Sequence, residues 1–384
     1  MFQMLLAALI VAGAYAASFT LYHAPQWSWI WKVALAVGEY GIWFLPLAIG
    51  FGAIAWVTTG GALRVALAVL CGFTTLALLR PIVSAAWIAR DLPRRLTEAF
   101  GAARDESPAF SVARLVVHQA PPEVAVETHV FARHAGEELK LDFYRAARAG
   151  AEGVPCIVVV HGGGWDGGDR HQIPEWNHRW AARGYAVAAI SYRLAPRFIW
   201  PAQRDDVLAA IAWLKAHARE LGVDATRFVL LGRSAGGQIA TAVAYGAHDP
   251  AIRGVVSFYA PQDMEFAWGV SREDDALNSV NLMRQYLGGP PDTPQRKALY
   301  VTASAQAMIG PATPPTLLLH GAPDTLVWHR HSERLTAALQ AAGVRHHFLS
   351  LPWATHAFDF NPDGPGGQLA DHAIGFFLRA VLRG

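Results

Sequence analysis

Charged side chains are scarce in this sequence. Only 16% of its 384 residues are Asp, Glu, Lys or Arg, whereas 53% are hydrophobic. A soluble domain usually has about 25% charged residues, so part of this chain is expected to avoid water. The formal net charge of +2 is too small to suggest a nucleic-acid-binding protein. Its two cysteines, Cys71 and Cys156, lie inside apolar runs, which argues against a disulfide framework.

The sequence also lacks the short motifs of metal and phosphate sites. Its 16 histidines include no H-E-x-x-H pair and no Cys/His finger spacing. Its glycine-rich stretches lack the G-K-[ST] ending of a P-loop. These absences argue against a metal centre and against a phosphate-binding loop.

Charge is scarcest at the N-terminus, where residues 1–79 contain only three residues of the Lys, Arg, Asp or Glu type: Lys32, Glu39 and Arg64. Three apolar runs there are each about long enough to span a bilayer: residues 4–22, 40–57 and 63–79. A tight turn, "TTGG", separates the last two runs, and Arg80-Pro81 closes the third. The tryptophans nearby fit an interfacial aromatic belt: Trp27, Trp29 and Trp31. We therefore predict a transmembrane region of about three spans over residues 1–90.

Two other interpretations of the N-terminus compete with this one. Residues 1–17 resemble a cleaved signal peptide, since "AYA-A" is like a cleavage site, but no Lys or Arg precedes the apolar run. The whole region is alternatively a buried helical domain of a soluble protein. Three runs with almost no polar face make that interpretation the weakest.

The positions of the positive charges predict an orientation. Lys32 lies between the first two runs, and a cluster of arginines follows the third: Arg80, Arg90, Arg94 and Arg95. An odd number of spans puts the first loop and the large C-terminal part on one side, and the positive-inside rule makes that side the cytoplasm. Residues 91–122 are predicted to be a basic juxtamembrane linker. Whether "IARDLPRRLTEAF" lies on the membrane surface or is an ordinary linker helix stays open.

Residues 123–384 have the texture of an α/β domain. Eight short apolar runs predict strands, from "VAVETHVFA" to "HHFLSL", and amphipathic stretches such as "AGGQIATAVAYGA" predict helices between them. This alternation implies a mostly parallel sheet with helices on both faces and a site at the carboxyl ends of its strands. Residues 263–311 interrupt this alternation of strands and helices, and a long insertion between strands is usually a cap over the site.

The strand-like run "RFVLL" is followed by "GRSAGG", residues 232–237, and then by a helical pattern. This is G-x-S-x-G between a strand and a helix, the context in which the motif has chemical meaning. The glycines at 232 and 236 leave room for a sharp turn. We predict Ser234 as the nucleophile of this elbow.

A serine nucleophile needs a base, and the base needs an orienting acid. Asp324 follows the strand-like run "TLLLHG", and His356 follows "HHFLSL", so both belong at carboxyl ends of neighbouring strands and in the order Ser, acid, His. Other candidates remain as rivals, with solvated loop residues as their simpler interpretation: Asp263 and Asp359 as acids, and His320, His329 and His331 as bases.

The run "HGGGW" follows another apolar run, "PCIVVV". Attack on an ester carbonyl creates an oxyanion that backbone N–H groups must meet, and a glycine loop lets the backbone come close. The predicted donors are the N–H groups of Gly163, Gly164 and Ala235. His161 is expected to brace this loop, and Gly167 and Gly168 to form a flexible turn.

Four side chains are predicted to line the substrate pocket: Trp165, Arg233, Trp268 and Tyr286. Trp165 ends the glycine loop, and Arg233 inside the elbow is expected to affect the charge of the pocket. Within residues 263–311, apolar side chains could admit an acyl or prenyl chain: Phe266, Trp268, Leu282, Met283, Tyr286 and Leu287. That they only pack the insertion onto the sheet is an equally weighted alternative.

Together "HGGGW", "SYRLAP", "WPAQRDDVLAAIAWL", "GRSAGG", "PDTLV" and "THAF" resemble an α/β-hydrolase of the hormone-sensitive-lipase and carboxylesterase group. The resemblance is greatest to the branch of isoprenylcysteine methylesterases and bacterial feruloyl/acetyl-esterase-like proteins, and it covers about residues 125–384. It implies a Ser-Asp-His triad on Ser234, Asp324 and His356, and no cofactor. The N-terminal spans lie outside most of this family, and Arg233 is a less usual residue inside the elbow.

The sequence thus predicts a membrane-anchored serine hydrolase that cleaves carboxylic esters, with lipophilic esters favoured. Its expected partners are a small-molecule or lipid-like ester and the lipid bilayer, with the catalytic domain on the cytoplasmic side of a bacterial-type inner membrane. Two alternatives stay open. One is an amidase, formamidase or acyltransferase on the same triad, and the other is a catalytically silent membrane receptor or scaffold. The oligomeric state and the natural acyl and alcohol groups are not predicted.

Overall fold

The computed structural model describes residues 1–27, 29–102, 107–134, 136–148 and 153–383. Four helices come first, and an eight-stranded sheet covered by helices follows. The four N-terminal helices are α1 (Phe2–Ser18), α2 (Ile30–Glu39), α3 (Gly41–Thr58) and α4 (Gly61–Phe100). The turn predicted between the last two apolar runs is confirmed, since α3 ends at Thr58 and α4 begins at Gly61.

Two helices of the described chain, α3 and α4, are long and apolar enough to cross a membrane. Only 17% of the α3 window and 28% of the most apolar α4 window are buried within the protein, so neither has the environment of a soluble core helix. The first helix is equally apolar but has only 17 residues. Its length of roughly 25 Å is short of a hydrocarbon core of about 30 Å.

The helix that carries the third apolar run does not end with that run at Arg80-Pro81, because α4 continues through Pro81 and Pro93 to Phe100. A proline lacks the N–H that would bond to the carbonyl four residues earlier. For Pro81 that carbonyl belongs to Ala77, and the hydroxyl of Thr20 lies 3.0 Å from it and 2.9 Å from the carbonyl of Ala17. A side chain from the segment after α1 therefore shares its proton with the carbonyl that Pro81 leaves without a backbone donor.

The predicted boundary at residues 90 and 91 falls inside α4. The C-terminal part of this helix lies against the sheet domain, where Leu92, Leu96 and Phe100 are buried in the same hydrophobic cluster as Phe377. The rings of Phe100 and Phe377 meet edge to face at 4.9 Å. One continuous helix thus joins the apolar N-terminal region to the sheet domain.

Each of the eight predicted strands occurs. They are β1 (Val126–His134), β2 (Glu137–Tyr144), β3 (Val154–Val160), β4 (Ala186–Ile190), β5 (Val223–Arg233), β6 (Ile252–Phe258), β7 (Thr316–Gly321) and β8 (His346–Leu351). Their order in the sheet is β1-β2-β4-β3-β5-β6-β7-β8. The pairs β1–β2 and β2–β4 are antiparallel, and the remaining neighbours are parallel. The central strands are buried on both faces, which explains their unbroken apolar sequences.

Helices cover both faces of the sheet. The helices of the domain are α5 (Pro174–Ala182), α6 (Ala202–Ala216), α7 (Ala218–Leu221), α8 (Ala235–Gly246), α9 (Met264–Val270), α10 (Ser279–Leu287), α11 (Pro294–Ala303), α12 (Arg330–Ala341) and α13 (Pro365–Val381). One face packs against α6, α8 and α12, and the other against α5, α13 and the end of α4. Both α2 and α13 lie in stretches for which no helix is predicted above.

The insertion between β6 and β7 forms three helices, α9 to α11. Asp263 begins it by accepting a hydrogen bond from the N–H of Phe266 at 3.0 Å, the arrangement of a helix N-cap. Its other carboxylate oxygen pairs with Arg334 on α12 at 2.7 Å. The insertion therefore lies over the carboxyl ends of the parallel strands, beside the site described next.

Candidate active site

Ser234 occupies the sharp turn between β5 and α8. Its φ of 52° and ψ of −121° are strained for a residue with a side chain. The turn needs a glycine at position 236, because a Cβ there would lie 2.2 Å from the carbonyl oxygens of Val160 and His161. The Ser234 N–H donates to the carbonyl of Phe258 at 2.9 Å, which fixes the turn against β6. The hydroxyl is thereby held at the carboxyl edge of the sheet.

The structure brings Ser234, Asp324 and His356 together. His356 Nε2 lies 3.0 Å from Ser234 Oγ, and His356 Nδ1 lies 2.8 Å from Asp324 Oδ2. A carboxylate only accepts hydrogen bonds, so the ring proton belongs on Nδ1, and Nε2 is left to accept from the serine hydroxyl. The three side chains come from loops after β5, β7 and β8, as the order along the chain predicts.

Asp324 is held by several donors at once. Its Oδ1 accepts from the N–H groups of Leu326 and Val327 at 2.8 and 3.0 Å. Burial by itself would raise the pKa of Asp324, but the charge of His356 and hydrogen bonds from His320 and His356 outweigh burial and lower it below its usual value. Asp324 is therefore ionised at neutral pH, as an orienting acid must be.

The rival acids and bases have other partners. Asp263 caps α9 and pairs with Arg334. Asp359 accepts from the guanidinium of Arg233 and from the hydroxyl of Tyr259 beneath the His356 loop.

Among the rival histidines, His320 is the one closest to the triad. Its Nε2 lies 3.3 Å from Asp324 Oδ2 and donates to the carbonyl of Val327 at 3.0 Å. It therefore contacts the same carboxylate oxygen as His356, and it has no contact with the serine hydroxyl within the described chain. His329 binds Ser350, and His331 accepts from the N–H of Gln262.

The "HGGGW" loop stands beside the elbow. Gly163 has a φ of 127°, and a Cβ there would lie 2.3 Å from the carbonyl oxygen of Gly167. Gly167 lies in a turn that is closed by a hydrogen bond, since its N–H donates to the carbonyl of Gly163 at 3.0 Å. His161 donates from Nδ1 to the carbonyl of Gly162 at 2.8 Å, and burial lowers its pKa to about 4, so its ring is neutral.

The N–H groups of Gly163, Gly164 and Ala235 have no acceptor within the part of the chain that the structure describes. All three residues line the cavity that also contains Ser234 and His356. Unpartnered backbone N–H groups at a nucleophile are the arrangement that stabilises a tetrahedral oxyanion. The site is thus able to supply a nucleophile, a base, an orienting acid and oxyanion donors from one strand edge.

Gln238, which sequence reasoning missed, ties this site together. Its Oε1 accepts from the indole N–H of Trp165 and from the hydroxyl of Tyr286, each at 2.9 Å. Its amide donates to the carbonyl of Ala303 at the end of α11. The glycine loop and the insertion therefore share one buried amide. Its position one turn after Ser234 in α8 is the only sequence signal of this role.

The cavity has a volume of about 810 Å³. Trp165 and Arg233 line it as predicted, but Trp268 and Tyr286 do not. Tyr286 is fully buried behind Trp165, with the two rings stacked at 4.5 Å, and Trp268 packs edge to face against Tyr300. The insertion instead contributes other residues to the cavity: Ala267, Val270, Ser271, Asp275, Ala276, Leu277, Ser279, Leu282 and Met283.

The segment that carries His356 is also fixed from below. The hydroxyl of Tyr259 donates to Asp359, and its ring lies 4.4 Å from the imidazole of His356. From the N-terminal region, the Glu39 carboxyl group accepts from the indole N–H of Trp353 at 3.2 Å and from the N–H of Gly366 at 2.8 Å. No sequence pattern connects Glu39 with the site.

One group of side chains has the spacing of a metal site: His118, Glu175 and Asp363. Asp363 already pairs with Arg114 at 2.7 Å, and Glu175 pairs with Arg179 at 2.9 Å. These arginines neutralise the carboxylates that a cation would need. The group therefore serves as an ion-pair cluster between the segment before β1 and α13.

The sheet order and the strained elbow at Ser234 are those of an α/β-hydrolase fold. Solved structures share it: a bacterial heroin esterase has a TM-score of 0.59 with 23% identity and covers 71% of this chain and 89% of its own. A Pyrobaculum calidifontis esterase has a TM-score of 0.58 with 23% identity over 79% of this chain and 95% of its own. Residues 141–339, more than half of the chain, match the BD-FAE family, and the chain belongs to that family.

Curated relatives match the same region. Esterase LipQ of Mycobacterium tuberculosis (strain ATCC 25618 / H37Rv) is 32% identical over 257 residues, which are 64% of this chain and 60% of LipQ. Carboxylesterase NlhH of Mycobacterium tuberculosis (strain CDC 1551 / Oshkosh) is 34% identical over 145 residues, or 36% of this chain and 44% of NlhH. The chain thus spans about 60% of the length of the first of these relatives.

Proposed function

We propose that this protein is a membrane-anchored serine hydrolase that cleaves carboxylic esters. The observation that carries the proposal is the continuous chain of contacts from Asp324 through His356 to Ser234, with free N–H groups beside the serine. The names of LipQ, an esterase, and of NlhH, a carboxylesterase, support the same reaction. A catalytically silent scaffold would need neither the strained elbow nor the unpartnered N–H groups.

In the proposed reaction, Ser234 Oγ attacks the ester carbonyl while His356 Nε2 takes its proton. The negative charge of the tetrahedral intermediate is met by the N–H groups of Gly163, Gly164 and Ala235. His356 then protonates the leaving alcohol, and an acyl-enzyme remains on Ser234. Water that loses a proton to His356 attacks the acyl-enzyme, and His356 returns that proton to Ser234 Oγ as the acid leaves. Asp324 orients the imidazole and stabilises the imidazolium that forms twice in each cycle.

The membrane part of the proposal rests on α3 and α4. Large apolar side chains on their surfaces are exposed, among them Trp43, Leu47, Ile49, Trp56, Val69 and Leu76. A surface of this kind is stable in a bilayer and favours association in water. With the basic residues after the third run on the cytoplasmic side, the catalytic domain faces the cytoplasm. An apolar cavity next to such helices suits a lipophilic ester.

Ser234→Ala tests the reaction directly. The variant is expected to fold and to lose on the order of 10⁶ in kcat on p-nitrophenyl esters, because no other group in the cavity replaces the nucleophile. A fluorophosphonate probe should label the wild-type protein and leave the variant unlabelled. Retained ester hydrolysis, or labelling of the variant, would remove Ser234 from the mechanism.

A further inference from the structure

The N-terminal region contributes residues to the candidate active-site cavity. Side chains before and at the start of α2 line it: His23, Ala24, Gln26 and Trp31. They face the same space as Gly163, Ser234 and His356. The cavity is therefore bounded on one side by the segment that joins α1 to α2, and its shape depends on a part of the chain that lies outside the hydrolase fold.

This wall is fixed to the catalytic domain. Trp31 packs against the hydrophobic cluster that contains Trp353 and Ala357, the residues on either side of the His356 loop. At the other end of α2, the Glu39 carboxyl group accepts hydrogen bonds from Trp353 and Gly366. The guanidinium of Arg80 on α4 donates to the carbonyl of Pro352 at 3.0 Å. Helix α2 is thus held at both ends against the segment that carries the catalytic base.

Apolar side chains lie on both the wall and the surface opposite it, beside polar ones. Ala24 and Trp31 face a cavity to which the insertion contributes Leu277 and Leu282, together with Ser271, Asp275 and Ser279. Among the described lining residues, Arg233 is the only lysine or arginine, and its guanidinium pairs with Asp359. No unpaired lysine or arginine is therefore present among them to receive an anionic group, and an uncharged chain with an apolar part fits the lining best.

The same segment carries aromatic side chains that point to solvent in the isolated protein. Tyr22, Trp27 and Trp29 are 69%, 65% and 58% exposed. Exposed Trp and Tyr beside apolar helices are typical of the membrane–water interface. The wall of the cavity thus lies next to the surface by which the N-terminal helices meet the bilayer.

We propose that His23, Ala24, Gln26 and Trp31 form a chain-selecting wall, with Trp31 in contact with the apolar chain of an uncharged, membrane-borne ester whose carbonyl lies at Ser234. This inference rests on the proposed ester hydrolysis and adds a specificity-determining residue outside the hydrolase fold. The N-terminal helices then complete the substrate site as well as anchoring the protein.

The test uses the full chain in detergent micelles, with p-nitrophenyl acetate and p-nitrophenyl decanoate as substrates. Trp31→Ala is expected to lower kcat/KM for the decanoate on the order of 10-fold, since each methylene that loses its contact costs roughly a factor of four. The loss should appear mainly in KM, and hydrolysis of the acetate should stay within about twofold. Trp27→Ala is the matched control, because Trp27 lies in the same segment but does not line the cavity.

A second variant protects the test against simple misfolding of Trp31→Ala. Gln26 is exposed, so Gln26→Trp adds bulk to the wall without changing a packed core. It should also hinder the decanoate more than the acetate. Equal losses of kcat/KM on both esters in both variants, or the same loss for the decanoate in Trp27→Ala, would contradict the proposed chain-selecting wall. A wild-type protein that hydrolyses neither ester would instead contradict the proposed function itself.

Discussion

Replacing Asp324 by asparagine tests the proposed role of the acid most sharply. Asparagine keeps the shape of the side chain, and its carbonyl oxygen still accepts from the N–H groups of Leu326 and Val327, now 2.8 and 3.0 Å from Oδ1. The amide nitrogen then takes the place of Oδ2, which lies 2.8 Å from His356 Nδ1. Because an amide nitrogen only donates, the imidazole must move its proton to Nε2. That tautomer does not accept the proton of Ser234.

The expected loss in kcat follows from the same distance between His356 Nδ1 and Asp324 Oδ2. The imidazolium that forms during the reaction loses a carboxylate partner 2.8 Å away. At an effective dielectric of about 20, unit charges 3 to 4 Å apart attract by roughly 4–6 kcal/mol, or a factor of roughly 10³ to 10⁴ in rate. A triad whose acid becomes an amide typically loses about 10⁴ in kcat, so the two estimates agree. We expect Asp324→Asn to lower kcat by this amount and to change KM little.

The assay is steady-state hydrolysis of a short chromogenic ester in detergent, with Asp263→Asn as the matched control. Asp263 also accepts a backbone N–H and an arginine, but it lies at the start of the insertion and not beside His356. Its loss should affect stability slightly and kcat hardly at all. If Asp324→Asn kept more than about a tenth of the wild-type kcat, or if Asp263→Asn were more damaging, Asp324 would not be the acid.

Stability gives an independent check on Asp324. Its folded pKa is lowered, so its contribution to the free energy of unfolding is present above the unfolded pKa, near 4, and is lost only as the pH falls through the folded value. The difference in stability between wild type and Asp324→Asn should therefore narrow as the pH falls below about 4. A difference that does not narrow in acid would contradict the lowered pKa.

Two further predictions concern the N-terminal region. Burial raises the pKa of Glu39 to about 8, so the folded state holds a proton that the unfolded state loses near pH 4.5. The free energy of unfolding should therefore fall as the pH rises from about 5 to 8, and Glu39→Gln should flatten the dependence of the thermal midpoint on pH. An unchanged dependence in the variant would contradict the raised pKa. A reporter fused after residue 384 should behave as cytoplasmic, since the basic residues after the third apolar run favour that side. An active periplasmic phosphatase at that position would reverse the orientation.

Much of the hydrolase domain was predictable because its signals are local. A parallel strand is an unbroken apolar run, and the turn at Ser234 needs small residues within three positions of the serine. The glycine loop after β3 carries its own signature for the same reason. These motifs depend on backbone geometry over a few residues, and the order of strand ends along the chain then placed Asp324 and His356 beside Ser234.

The failed predictions concern contacts between distant segments. Trp268 and Tyr286 are aromatic and lie in the insertion, but only the packing of α9 to α11 decided that they face inward while Leu282 and Met283 line the cavity. The continuation of α4 beyond the third apolar run was not predicted either. The hydroxyl that approaches the carbonyl opposite Pro81 comes from Thr20, 57 residues before the accepting Ala77.

Fold class, nucleophile elbow, glycine loop and the apolar character of the N-terminus could all be predicted, because each depends on neighbouring residues or on composition. The contact of α2 with the His356 loop and the cavity that Trp31 shares with Ser234 depend instead on how distant segments pack. Glu39 and Trp353 are 314 positions apart, and no periodicity or motif links them. Their contact exists because burying a carboxyl group requires donors, and the fold supplies those donors from the opposite end of the chain.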